Sequence, residues 1–144
     1  MTTPIDPDNP VVTLCADGMQ AEVEGRFDDA RAAFHRAWEA STDDYEACIA
    51  AHYLARHQPS DEATLHWNQV ALDRADAVPD ERVAGFYPSL LLNLGHSHEC
   101  LGRPHSARVL FEQAEARLQH LPAGPYTEMV RRGIAEGLRR TSEA

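Results

Sequence analysis

The sequence predicts an all-α fold, an α-solenoid of three helix hairpins closed by a C-terminal capping helix. Three observations carry that expectation. GRFDDARAAFHRA at 25–37 aligns with GRPHSARVLFEQA at 102–114, so Gly25, Ala30, Phe34 and Ala37 fall on Gly102, Ala107, Phe111 and Ala114. A weaker copy, QPSDEATLHWNQV at 58–70, places Ala63, Trp67 and Val70 at the same offsets. A second helical stretch lies upstream of each copy, with Gly18, Ala51 and Gly95 at equivalent places. Such a period, with two helices per unit, marks stacked repeats, because one hairpin cannot bury its apolar face alone.

The elements follow in order. The first ten residues hold three prolines and two aspartates and read as extended or disordered. A single domain then spans 11–144, with repeats at 11–43, 44–77 and 80–121. Gly25 and Gly102 suit the tight turns between paired helices, where positive φ is cheap only for glycine. Ser60 or Asp61 can cap the second helix of the middle pair, and Pro104 fits a first helical turn. Ala30 to Ala63 is 33 residues and Ala63 to Ala107 is 44, so the third unit carries extra residues in ADAVPDERVAG. Pro88 sits inside a run of helical spacing and predicts a kink or short break, with Phe86 and Tyr87 packed beside it. Pro122 and Pro125 end the third pair. A capping helix follows at 125–140, with Tyr126, Met129, Val130, Ile134 and Leu138 as its stripe. Gly133 and Gly137 allow close approach there.

Two helices per unit, one with a small residue midway and the next reading A-x3-aromatic-x2-small, resemble the tetratricopeptide repeat. The resemblance covers roughly residues 11 to 121. It departs from the family pattern at Leu14, at Ala51 and at His98, where the family has aromatic, glycine and tyrosine positions. The resemblance implies a right-handed solenoid whose first helices line a concave face. That face would take Val12, Cys15, Met19, Glu22 and Val23, then Tyr45, Cys48, His52, Ala55 and Arg56. The third unit would add Ser89, Leu92, His96, Glu99 and Cys100. The implied partner-binding residues are Met19, Tyr45, Cys48, His52, Arg56, Asn93, His96 and Glu99, and the implied partner is a peptide or protein segment. Chaperone-binding members clamp a terminal carboxylate, but here Cys15, Met19, Ile49 and Ser89 replace most clamp positions. Two alternatives stand beside this reading. One is a self-associating homodimer, and the other is a small-molecule or metal sensor using the groove histidines and cysteines.

Composition narrows the classes. The net charge of −10 argues against nucleic acid, which requires a concentrated basic surface. All thirteen basic residues are arginine, which removes Schiff-base and P-loop lysine chemistry. Cys15, Cys48 and Cys100 form no disulfide framework and fit a reducing cytoplasm. No signal peptide or membrane span is legible. The stretch GHSHEC at 95–100 raises metal and nucleophile readings. His96 and Cys100 stand i, i+4, as do Cys48 and His52. With the histidines level, the cysteines point to opposite ends, roughly 12 Å apart along the axis at 1.5 Å per residue. One zinc needs both thiolates about 2.3 Å away, so no metal or cofactor is expected. No catalytic residue is expected either, because no group that would orient a histidine base is visible in the sequence.

Overall fold

The structure, a computed structural model, describes residues 8–79 and 81–142. Among these it holds seven α-helices and no strand. The chain divides into two compact units at Arg82–Val83. The expected extended N-terminus lies mostly outside the described residues.

The first unit contains α1 (Pro10–Val23), α2 (Phe27–Ala40), α3 (Asp44–Leu54), a 3-10 turn (Ala55–His57) and α4 (Asp61–Asp76). Each helix starts for a local reason. Asn9 caps α1 by accepting from the Val11 and Val12 amides, and Pro10 gives up only an N–H that would be unpaired anyway. Asp43 caps α3 through the Glu46 amide, and Ser60 caps α4 through the Ala63 amide. Between α1 and α2 the chain reverses at Gly25, whose φ is 78°.

Packing follows the small-residue logic of the repeat. Phe34 is fully buried with Ala30 and Ala37, and its ring lies so close to Gly18 that a Cβ there would overlap it. Neighbouring first helices run parallel: Asn9 Nδ2 donates to Glu46 at 2.6 Å near one end, and Arg56 Nη1 to Glu22 at 3.0 Å near the other.

The middle pair departs from the expected copy. Ala63, Trp67 and Val70 are only half-buried, and α4 buries Asn68, Ala71 and Ala75 instead. Trp67 meets the edge of Trp38 at 5.1 Å between ring centroids. Ala51 is the physical reason. It carries a Cβ where Gly18 and Gly95 carry none, so an aromatic cannot enter as Phe34 does, and the helix turns by about one residue.

The second unit contains α5 (Tyr87–Cys100), α6 (Pro104–Arg117), a 3-10 turn (Leu118–His120) and α7 (Pro125–Thr141). A further 3-10 turn, Glu81–Val83, precedes α5. Of the expected kink or short break the structure shows the break, and Pro88 lies in the first turn of α5. A proline costs nothing there, since the first-turn amides have no helical partner.

Phe111 repeats the role of Phe34. It is fully buried with Ala107 and Ala114, and a Cβ on Gly95 would stand 2.7 Å from its ring. A Cβ on Gly137 would stand 2.7 Å from the opposite edge, so two glycines from different helices hold one ring. Gly102 makes the turn between α5 and α6 with φ 74°.

The buried stripe of α7 is Thr127, Val130, Ile134, Gly137 and Thr141. Met129 and Tyr126, expected in that stripe, are instead 64% and 46% exposed. Docking Gly137 onto Phe111 sets the helix rotation, and at 100° per residue Met129 then turns outward. Helices α5 and α7 also run parallel. Ser89 Oγ bonds Tyr126 Oη, and Arg140 donates to Glu99 at 2.7 and 3.0 Å.

Candidate functional site

In the first unit the expected residues lie along α1, α3 and the turn after α3. Met19 is exposed, and Val23, one helical turn on, is 83% exposed. Tyr45 is half-buried in the first turn of α3, with the Arg82 guanidinium 4.6 Å above its ring. Cys48 is buried, and burial together with the Asp76 charge pushes its thiol up to about 12. Cys15 on α1 is likewise buried and pushed up to about 12 by desolvation. Both are neutral packing thiols rather than an accessible surface.

His52 is half-buried, and its Nδ1 has no hydrogen-bond partner among the described residues. Desolvation, reinforced by the nearby Arg56 charge, lowers its pKa to about 4. His52 therefore carries no charge near neutral pH and offers no cation to an acidic group. A neutral imidazole lines this face at any ordinary pH.

Arg56 and His57 follow shortly after the last α-helical residue of α3. Helix α3 ends at Leu54, and both residues lie in the 3-10 turn, where they share Glu22. The Glu22–His57 contact is 2.6 Å, with both side chains less than one-fifth exposed, while Arg56 remains 46% exposed.

An aromatic stack supports this ion cluster. Tyr53 lies 5.1 Å from Phe34, Phe34 lies 5.9 Å from His57, and His57 lies 5.7 Å from Phe27. The Arg56 guanidinium covers the outer face of Tyr53 at 4.8 Å. Arg56 is therefore fixed in place, presenting part of its charge beside the apolar Met19 helix.

The sequence reading missed His57, Phe27 and the pairing of Glu22. Glu22 was legible as a face residue at helical spacing. His57 was not, because it lies in the turn after Leu54 where the α-helical spacing stops, and Phe27, exposed in the first turn of α2, carries no core pattern.

In the second unit, Asn93 is half-buried on α5, His96 is exposed and Glu99 is half-buried. Glu99 is occupied by Arg140 of α7, and that hydrogen-bonded guanidinium holds its carboxyl below the usual range. Leu92, expected on the same face, packs where a Cβ on Gly133 would stand 3.0 Å away. The face of α5 at Ser89, Leu92 and Glu99 thus meets the capping helix, leaving His96 and Cys100 toward solvent. Among the described residues no group of three or more His, Cys, Asp or Glu side chains is arranged to hold a metal ion. No described helix is long and apolar enough to cross a membrane.

The chain matches no family model, no curated protein and no solved structure.

Proposed function

We propose that the hairpins are tetratricopeptide-like units of an α-solenoid and that the protein is a non-catalytic interaction module. Its partner is a peptide or protein segment held against the first-helix face. Two features support the fold part of this reading. The Gly18–Phe34 contact recurs as Gly95–Phe111, and the first helices in each unit run parallel to their neighbours.

The observation that carries the functional part is the exposed pair Met19 and Val23, one turn apart on α1, beside the half-exposed Arg56. Large apolar side chains aligned along one helix with a fixed guanidinium at their end suit an amphipathic segment with one acidic group. Helix α3 contributes Tyr45 and a neutral His52 to the same face.

The experiment is capture of partners from the native host with the wild-type chain and with Met19→Asp, each checked by circular dichroism. Met19 is exposed, so the variant keeps its helix content and loses the partner. Equal retention by both proteins places the partner elsewhere.

A further inference from the structure

The last turn of α5 gathers a thiol, an imidazole, a carboxylate and a guanidinium. Cys100 is the one exposed cysteine of the three. Its Sγ lies 3.6 Å from His96 Nε2, which is hydrogen-bond distance for sulfur. His96 Nδ1 in turn faces Glu99 Oε1 at 3.6 Å. A carboxylate on that side favours the proton on Nδ1 and leaves Nε2 free to accept. Glu99 is itself fixed by two hydrogen bonds from Arg140 on α7, and the Arg140 charge couples to Cys100. Nucleophile, base and an orienting acid therefore follow in sequence, held from a second helix.

We propose that Cys100 is a modification site for low-molecular-weight disulfides, with His96 as the base that takes the thiol proton. In the step the proton passes from Cys100 Sγ to His96 Nε2, and the thiolate attacks one sulfur of RS–SR. The S–S bond breaks as the Cys100–SR bond forms, and the departing thiolate takes the proton from the imidazolium. One thiol and one disulfide enter, and one thiol and one disulfide leave. The disulfide is the oxidant.

The negative end of α5 opposes an anion at Cys100. The imidazolium at 3.6 Å, and the Arg140 guanidinium through its charge, act in the other direction. Cys15 and Cys48 are buried and cannot compete for the reagent, so the adduct is confined to one thiol.

The test uses the full chain with 2-hydroxyethyl disulfide, a neutral reagent. Adduct formation is followed by intact mass and by peptide mapping at each cysteine. The expected result is one adduct per chain, at Cys100, formed on the order of tenfold faster in the native protein than at the same cysteine in urea. His96→Asn should slow the native reaction by about the same factor. His96 is 64% exposed, so this substitution leaves the helix intact. First modification at Cys15 or Cys48 overturns the proposal. A native Cys100 no faster than the unfolded one, or a His96→Asn rate equal to wild type, also overturns it.

Discussion

His52 makes stability depend on pH in a window that lies mostly above that of the carboxylates. Folded, its imidazole stays neutral down to about pH 4, while an unfolded histidine titrates near pH 6.5. Above pH 6.5 both states are neutral and His52 contributes nothing to the pH dependence. As pH falls from 6.5 toward 4, the unfolded chain binds a proton that the folded one refuses, so stability is lost. Between pH 7 and pH 5 the loss at this site is about 2 kcal/mol. His98 is shifted in the same direction, by burial and then by Arg103, and adds to the trend. Urea unfolding midpoints at both pH values measure it, and His52→Gln should shrink the difference. An unchanged difference in the variant would assign the pH dependence to other groups. The glycines separate two further effects. At Gly102 a Cβ meets nothing within 4 Å, so Gly102→Ala costs only the positive φ, about 1 kcal/mol. At Gly95 the same change drives a methyl into Phe111, which cannot move aside because Gly137 holds its other edge. Gly95→Ala should therefore lower the melting temperature more than Gly102→Ala, despite the better helix propensity of alanine.

Among the elements, α7 shows most clearly what periodicity conveys and where it stops. A helix beginning at Pro125 with Val130 and Ile134 inward was legible, because apolar residues at i, i+4 fix one face. Its rotation was not. Hydropathy placed Met129 in the stripe and had no reason to place Thr127 or Thr141 there, yet both threonines are buried. Their hydroxyls are satisfied locally, Thr127 by the Pro122 carbonyl at 2.6 Å and Thr141 by the Gly137 carbonyl at 2.8 Å. A polar residue that carries its own partner can be buried at little cost, and hydropathy cannot register that. Ile134→Ala should cost about 2–5 kcal/mol, whereas Met129→Ala should stay within about 0.5 kcal/mol. Thermal melts of the two variants decide between the observed rotation and the hydropathy stripe, which predicts comparable losses. The middle hairpin teaches the same lesson through a different residue. Ala51 already stood out in the sequence as the one unit without glycine, and its Cβ is what turns Trp67 out of the Phe34 position.

For the whole molecule, the net charge of −10 with arginine as its only strong base sets how it meets a partner. A net negative charge of this size repels acidic segments at long range. A fixed arginine such as Arg56 can then select for an acidic group only at close quarters, and only in competition with Glu22. That competition makes charge reversal a poor probe. Arg56→Glu would place a carboxylate against Glu22, disturb the Glu22–His57 contact at 2.6 Å and confuse binding with stability. Arg56→Gln removes the charge, can still donate to Glu22 and leaves His57 paired. On the proposed binding mode, the captured segment should bind wild type more weakly as salt rises from about 0.05 to 0.5 M, because screening acts on its acid–Arg56 contact. Arg56→Gln should bind more weakly at low salt and lose most of that dependence. Met19→Asp should weaken binding at every salt concentration, since it removes an apolar anchor. Isothermal titration of the three proteins at two ionic strengths reads all of these effects. Identical salt slopes for wild type and Arg56→Gln would remove Arg56 from the interface and leave the apolar turn of α1 as the recognition element.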